Sequence, residues 1–159
     1  EKIEQIGWAS SLHDIGKIAI PDSIILKPGK LTADEFELIK SHTTKGAEII
    51  QHRIRLNDRV IFDYACDIAR HHHEKYDGKG YPDGLKGDEI SIAAHIVSLV
   101  DVYDALTSKR VYKAAYESEK AYQMIINGHS GMFSPKLLKA FTEVKAEFEH
   151  LLAVYHDEE

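Results

Sequence analysis

The sequence predicts an all-helical domain. Its long segments repeat apolar residues every three or four positions, as one face of an α-helix does, and stretches typical of β-strands are few. The chain has 159 residues, 43% of them hydrophobic. This is enough for one substantial core and falls within the usual size of a single domain. We therefore predict one all-α domain over residues 1–159.

The first two helices have recognisable ends. The first is predicted over about residues 2–14 and should end at Gly16, where a residue without a Cβ atom can adopt the left-handed C-cap conformation. Thr32 and Glu35 form a Thr-x-x-Glu capping box, which predicts the start of the second helix. That helix should continue to about residue 52.

A glycine-rich loop follows the third helix. That helix is predicted over about residues 60–74, and the loop 76–84 contains glycines and a proline that forbid its continuation, so we expect the loop to be rigid and exposed. The remaining helices, six in all with the first three, are predicted at about 91–108, 118–127 and 135–155.

The last predicted helix begins with Ser134 as N-cap and Pro135 at its first position. Its apolar residues alternate spacings of four and three, as in a coiled coil, but fewer than three heptads are present. We therefore favour packing in the core over dimerisation. The residues are Leu137, Phe141, Val144, Phe148, Leu151 and Tyr155.

Composition excludes several classes of protein. The net charge of −6 argues against binding of nucleic-acid polymers, which depends on a cationic surface. The single cysteine, Cys66, excludes a disulfide framework and favours the cytoplasm. No apolar run approaches the roughly 20 residues of a membrane span, so we expect no membrane segment.

Potential metal ligands are placed near predicted helix ends. Taken singly, each histidine is explained by packing or a surface hydrogen bond. Imidazole and carboxylate ligands together suit iron, manganese, zinc or nickel better than magnesium or calcium. The candidates are His13, Asp14, His42, His71, His72, His73 and Asp101.

The order of these residues, with their neighbours, resembles the HD-GYP family of the HD superfamily. The resemblance covers nearly the whole chain. It implies a helical bundle of the HD-domain type that hydrolyses cyclic di-GMP to pGpG, GMP or both through a hydroxide shared by two metal ions. The matching segments are His13-Asp14-Ile15-Gly16-Lys17, His42, His72-His73-Glu74, Asp77-Gly78-Lys79-Gly80-Tyr81-Pro82 and Asp101-Val102-Tyr103-Asp104-Ala105-Leu106.

The resemblance also implies a ligand set. Asp14 would bridge two ions. His13 and Asp101 would complete the site of one ion, and His42 and His72 that of the other. Two or three divalent transition-metal ions are implied, with iron or manganese favoured and zinc or nickel as alternatives.

The adjacent histidines His72 and His73 are predicted to point in different directions. Neighbouring residues on a helix point about 100° apart, so we expect His72 and His73 to face different metals. By resemblance, His73 would serve a third ion, whereas His71 matches no ligand position.

Basic and aromatic residues complete the implied site. By resemblance, Lys17 would face the scissile phosphate as a catalytic residue, and Arg110 and Lys113 would bind the substrate phosphates. Tyr81 would contact the ligand, although a purely structural tyrosine packed beside Pro82 is an equal alternative. Three further lysines would form a basic rim: Lys75, Lys79 and Lys109.

Three carboxylates beside the candidate ligands remain unassigned. Glu74, Asp77 and Asp104 are not matched to metals, and we expect them to orient imidazoles from behind.

The chain departs from the family at three points. A family helix that carries a glutamate and a histidine before His13 has no counterpart, so we expect loose metal binding, an apolar groove and a homodimer through it. His95 replaces an arginine, and Val111 a proline.

Two alternatives remain. One is another nucleotide phosphohydrolase of the HD superfamily. The other is a non-catalytic sensor or docking module for cyclic di-GMP, acting with an upstream sensor or receiver domain or other signalling proteins. The Gly80-Tyr81-Pro82 loop and Arg110 favour cyclic di-GMP hydrolysis.

Overall fold

The computed structural model describes residues 1–108 and 115–156. In these two stretches the regular structure is helical, with one isolated β-bridge between Asp77 and Lys86. This confirms the predicted all-α class. None of the helices in these stretches has the length and apolar character that a membrane span requires. The α-helices are α1 (Lys2–Ser10), α2 (Asp22–Ile25), α3 (Ala33–Lys40), α4 (His42–Arg53), α5 (Arg59–His71), α6 (Ile92–Thr107), α7 (Ser118–Ile126), α8 (Pro135–Glu143) and α9 (Lys145–His156), with 3₁₀ turns at Ile15–Ala19 and Gly87–Glu89.

The first helix is shorter than predicted. α1 ends at Ser10, and the next residues form tighter hydrogen bonds of the 3₁₀ type, such as His13 N–H to Ser10 O at 3.1 Å. The turn continues into the 3₁₀ segment that begins at Ile15. His13 and Asp14 therefore lie on a tight turn after α1.

Two predicted helices are each divided in two. The helix expected up to residue 52 breaks at Ser41, whose hydroxyl donates to the carbonyl oxygen of Leu38 at 2.6 Å. The helix expected over 135–155 breaks at Val144, where the backbone leaves helical geometry with φ −106° and ψ 17°. The single continuous helix predicted there is therefore wrong.

Predicted helix starts are confirmed. Thr32 accepts the N–H of Glu35 at 3.2 Å, and the Glu35 side chain accepts the N–H of Thr32 at 2.7 Å, which completes the capping box. Ser134 caps α8 in front of Pro135. Asp58, which we did not single out, caps α5 through two backbone N–H groups.

Two hydrophobic clusters form the core, and α6 contributes to both. One cluster packs α6 against α1, α4 and α5. The other packs it against α7, α8 and α9, and Leu137, Phe141 and Phe148 belong to it, which confirms core packing for these residues. Because α6 spans both clusters, it fixes Asp101 relative to the ends of α4 and α5. The first cluster includes Ala9, Ile50, Ile68 and Val97, and the second Leu99, Tyr103, Ile125 and Phe133.

Gly16 has a different function from the predicted C-cap. It is buried in the 3₁₀ turn, and its φ is not among the positive values of the described glycines. A Cβ atom at Gly16 would collide with the carbonyl oxygen of His42 and lie 2.6 Å from the amide nitrogen of Gly46. The absent side chain lets the turn approach α4, which brings Asp14 next to His42.

We expect Gly16→Ala to lower the free energy of unfolding by about 2 kcal/mol or more, because overpacking of this kind typically costs about 1–3 kcal/mol. Urea denaturation measures the effect. Gly7→Ala is the matched control, since Gly7 lies inside α1 with no atom within 4 Å of an added Cβ. The free energy of unfolding of the control should rise by about 0.5–1 kcal/mol, because alanine has a higher helix propensity than glycine. Equal stabilities of the two variants would contradict the packing argument.

Candidate metal centre

Six of the seven candidate ligands, all except His71, come together from four parts of the chain. His42 and His72 are almost completely buried, at 1% and 0% exposure. The remaining ligands lie on the rim of the same cluster. His13 and Asp14 lie after α1, His42 begins α4, His72 and His73 follow α5, and Asp101 belongs to α6.

Backbone carbonyl groups orient three of the imidazoles. In each of them Nδ1 lies within hydrogen-bond distance of a carbonyl oxygen three or four residues earlier. A carbonyl oxygen only accepts, so Nδ1 carries a proton in all three rings, and the neutral rings of His42 and His72 keep their lone pair on Nε2. This is the arrangement typical of histidines that bind metals. The distances are 2.8 Å from His13 to Ser10, 2.6 Å from His42 to Ile39 and 2.9 Å from His72 to Ile68.

The two carboxylate oxygens of Asp14 face different histidines. Oδ1 lies 3.3 Å from Nε2 of His42 and 3.8 Å from Nε2 of His72. Oδ2 lies 3.3 Å from Nε2 of His13 and accepts a hydrogen bond from Lys17. Oδ1 is buried and has no hydrogen-bond partner among the described residues. A buried acceptor that faces other acceptors is unfavourable unless a cation lies between them, so the donor set fits divalent metal ions.

The ligand atoms form two overlapping groups. His13, Asp14 and His72 make one, and His42, His72 and His73 make the other, with the ligand atoms of each group within 4.8 Å of one another. Asp101 Oδ1 adds a carboxylate 3.9 Å from Nε2 of His13. The geometry is compatible with two neighbouring ions and with Asp14 between them.

The rings of His72 and His73 lie close together, and their binding to different ions stays a prediction. Their ring centroids are 4.1 Å apart, and both rings belong to the group that includes His42. α5 ends at His71, and His72 follows it as the C-cap with helical backbone angles, φ −64° and ψ −12°. His71 faces Asp67 and Asp83 instead of the cluster, at 2.7 and 3.0 Å.

Burial and hydrogen bonds set the protonation states. Burial lowers the pKa of His72 to about 4 and also lowers the pKa values of His42 and His73. The hydrogen bond with Asp14 raises the pKa of His13 against the effect of burial. Burial would raise the pKa of Asp14, but hydrogen bonds from His13 and Lys17 hold it well below its usual range. At neutral pH the cluster is therefore anionic at Asp14 and neutral at its buried imidazoles.

A cavity of about 470 Å³ opens beside the cluster. The ring of Tyr81 stacks on that of His73, with 4.9 Å between centroids. Burial raises the pKa of Tyr81, so its hydroxyl stays protonated and able to donate. Tyr81 thus lines the cavity as well as packing in its loop. The lining residues are Lys17, Ile39, His42, His73, Tyr81, Asp101, Val102, Ala105, Leu106 and Ser130.

The predicted basic rim is not formed by the two described lysines. Lys79 is exposed and pairs with Asp77 at 3.5 Å. Lys75 is partly buried, with its Nζ 3.4 Å from Ser98 Oγ, and neither lysine lines the cavity. Arg110 and Lys113, together with Lys109 and Val111, lie outside the described residues.

The carboxylates expected to orient imidazoles have other partners. Glu74 is fully buried and accepts three backbone N–H groups of the loop. Asp77 accepts the N–H of Lys79 at 3.1 Å, and Asp104 accepts from the Ser108 hydroxyl at 3.2 Å. The expectation is therefore wrong, because carbonyl groups of the preceding helical turns already orient the imidazoles.

Two further expectations concern the loop and His95. The loop 76–84 is mostly half-buried, not exposed, because it folds over Glu74. His95 is buried in α6 between two aromatic rings and belongs to neither ligand group. The glycines of the loop indicated a turn, but nothing in the sequence indicated which carboxylate would anchor it.

Comparison with known proteins identifies the family. The sequence model of the HD domain family matches residues 1–137. The chain belongs to the HD domain family. This confirms the assignment made from the sequence, and HD domain phosphohydrolases bind divalent metals, in agreement with the cluster described above.

Several relatives align with most of this HD domain. It is 43% identical over 153 residues to a probable cyclic di-GMP phosphodiesterase of Vibrio cholerae, covering 95% of the chain and 35% of the relative. It is 41% identical over 157 residues to a cyclic di-GMP phosphodiesterase of Thermotoga maritima, covering 99% of the chain and 42% of the relative. A 3'3'-cGAMP-specific phosphodiesterase of Vibrio cholerae is 43% identical over 145 residues, covering 91% and 27%. The chain thus spans well under half the length of these relatives.

We expect His72→Gln to reduce the metal content of the HD domain at least about tenfold, because loss of a ligand or of its orientation typically weakens metal binding by about 10–100-fold or more. Elemental analysis after dialysis against a weak chelator measures the content. His71→Gln is the matched control and should retain the metal, since His71 faces Asp67 and Asp83. Equal losses in the two variants would contradict the ligand geometry.

The metal-free HD domain should lose stability as the pH falls from about 6.5 toward 4. In that window the unfolded chain protonates its histidines, whereas folded His72, with its pKa lowered to about 4, resists protonation. Because of this one residue, the free energy of unfolding should be about 2 kcal/mol lower at pH 5 than at pH 7. Urea denaturation of the wild type and His72→Gln at both pH values checks the result. The variant should show a smaller loss, and an equal loss would contradict the assigned protonation state.

Proposed function

We propose that the domain is a metal-dependent phosphodiesterase that hydrolyses cyclic di-GMP to pGpG, GMP or both. The observation that carries the proposal is the carboxylate of Asp14, whose Oδ1 is buried and whose two oxygens face separate sets of imidazole nitrogens. Such an arrangement suits a pair of divalent ions. The names of the Vibrio cholerae and Thermotoga maritima relatives support the reaction and the substrate.

The proposed ligand roles follow the geometry. Asp14 would bridge the ions, with His13 and Asp101 on the side of Oδ2. His42 and His72 would bind on the side of Oδ1, and His73, within the same group, would serve a third ion. We propose iron or manganese as the native metal, since mixed imidazole and carboxylate ligands suit both, with zinc or nickel as alternatives.

Side chains of the domain would act on a phosphodiester together with the bound ions. When bound, the ions would polarise phosphate oxygens and acidify water. Asp14 stays ionised because its pKa is far below neutral, so it acts as an anionic ligand and not as a proton carrier. Lys17 holds Asp14 and lines the cavity, where its ammonium group would offset negative charge on the reacting phosphate.

The cavity beside the cluster suits a nucleotide. Tyr81 and Lys17 supply polar groups, and an apolar wall that includes Ile39 and Val102 can receive a base. Arg110 and Lys113 are proposed to bind the substrate phosphates, on the strength of the family resemblance. Burial keeps the pKa of Tyr81 high, so its hydroxyl can donate to an anionic ligand.

A second substrate deserves the same assay. The relative named as a 3'3'-cGAMP-specific phosphodiesterase is as similar as the cyclic di-GMP enzymes, with 43% identity. The two dinucleotides differ in one base and share the phosphodiester ring, so both would present the same groups to the metals. Product chromatography with each dinucleotide separates the alternatives. Our proposal expects faster turnover of cyclic di-GMP.

We expect Asp14→Asn to lower kcat on cyclic di-GMP at least about 10³-fold, since the loss of a preorganised charge at the reacting centre costs about 3–4 kcal/mol or more. Arg110→Ala should instead raise KM about tenfold, equivalent to about 1.4 kcal/mol of binding. The assay uses iron- or manganese-loaded protein and chromatography of the products.

Asp63→Asn is the control for the Asp14 variant. Asp63 is exposed on α5 and pairs with Arg59 at 3.0 Å, so its replacement should leave turnover unchanged. Full activity of Asp14→Asn would refute the proposed centre. Loaded wild-type protein that cleaves neither dinucleotide would refute the proposed function.

A further inference from the structure

A buried carboxylate anchors the loop that follows the paired histidines. The side chain of Glu74 is 0% exposed. Its Oε1 accepts the N–H groups of Asp83 at 2.7 Å and Gly84 at 3.0 Å, and its Oε2 accepts that of Leu85 at 3.0 Å. Hydrogen bonds to a charged acceptor are stronger than those between neutral groups. Three such bonds fix one side of the loop on a single side chain.

Backbone N–H groups of the loop form a small anion-binding pocket, and the side chain of Glu74 occupies it. Three successive N–H groups converge on one point, and Gly84 has a φ of +67°, a conformation that favours glycine. Converging backbone N–H groups bind anions in many proteins. Here the anion is the carboxylate of Glu74, which directly follows His73 in the chain.

The same anchor controls where Tyr81 lies. Gly80 packs so closely on the backbone of Glu74 that an added Cβ atom would lie 2.6 Å from its carbonyl carbon. The N–H of Tyr81 donates to the carbonyl oxygen of His73 at 3.3 Å, and the two rings stack. Glu74 therefore lies beneath the peptide that carries Tyr81 to the cavity wall.

A second attachment holds the loop from outside. The carboxylate of Asp83 makes a two-point contact with Arg70 at 2.7 and 2.8 Å, and also lies 3.0 Å from Nε2 of His71. This attachment does not use Glu74. A loop that loses its inner anchor would consequently stay near α5, while Tyr81 would be held less firmly, through its N–H bond and ring contact with His73.

We propose that Glu74 is a positioning residue for the dinucleotide, acting through Tyr81. Its carboxylate holds residues 83–85 so that the ring of Tyr81 remains over His73 at the wall of the cavity. The inference rests on the proposed function, because it assigns Glu74 to substrate binding at that site. The proposal gives Glu74 a role in the loop and none in metal binding, since Glu74 contacts backbone N–H groups and belongs to neither ligand group.

The first test is Glu74→Gln in the metal-loaded protein. The shape is kept, but the NH₂ group of glutamine opposes at least one of the three N–H donors, so the inner anchor weakens. We expect KM for cyclic di-GMP to rise about tenfold, equivalent to about 1.4 kcal/mol. The value of kcat should change less than about twofold, and metal content should not change, because an interaction lost in binding alone affects KM. Loss of kcat at constant KM would overturn the proposal.

A double-mutant cycle tests whether Glu74 acts through Tyr81. In a Tyr81→Ala background, Glu74→Gln should raise KM less than about twofold. The reason is that the effects of two substitutions are not additive when one residue acts through the other. A general loss of structure would raise KM equally in both backgrounds, and that result would overturn the inference. Glu89→Gln is the matched control: Glu89 accepts one loop N–H, that of Lys86 at 2.8 Å, and its replacement should leave KM unchanged.

Hydrogen exchange distinguishes failure of this inference from failure of the proposed function. Glu74→Gln should speed exchange of the N–H groups of residues 81–85 at least about tenfold, while exchange in α5 stays as in the wild type. If the wild type cleaves no cyclic dinucleotide, the proposed function fails and the role of Glu74 in substrate binding fails with it. Unchanged exchange in an active protein would overturn the role of Glu74 alone.

Discussion

Oδ1 of Asp14 lies beside two buried imidazole nitrogens, those of His42 and His72, which carry lone pairs instead of protons. His13, His42 and His72 each use Nδ1 to donate to a carbonyl oxygen of their own helical turn, which leaves Nε2 directed at Asp14. Such a collection of acceptors is costly inside a protein unless a cation joins them. The requirement for positive charge at this point explains both the hydrogen bond from Lys17 and the fit to divalent ions.

Packing of the backbone brings these groups within reach of one another. The turn that carries Asp14 approaches α4 only because Gly16 and Gly46 have no side chains between them. α6 joins both halves of the core and places Asp101 beside the same turn. Stability and metal binding are thus coupled through a few close contacts between helices, which is why a single methyl group at Gly16 is expected to affect both.

The loop that carries Tyr81 is held in place differently from the histidines of the candidate metal centre. The orienting groups of the histidines are local, three or four residues away, and each follows from where a helix ends. The loop that carries Tyr81 depends instead on contacts between distant residues, from Glu74 to Leu85 and from Arg70 to Asp83. Changes in the loop can therefore alter the wall of the cavity while the candidate ligand groups are preserved.

The sequence by itself determined the helical class, the capping box at Thr32 and the identity of the candidate ligands, because these depend on local periodicity and on residue types in a recognisable order. It did not determine where helices break. Ser41 and Val144 interrupt apolar patterns that continue through them, and the fold brings His72 and His73 into one group with His42. The tasks of Gly16 and Glu74 were also decided by tertiary structure alone. A close approach to α4 and an anchor for residues 83–85 both involve partners far along the chain, and local sequence carries no information about such partners.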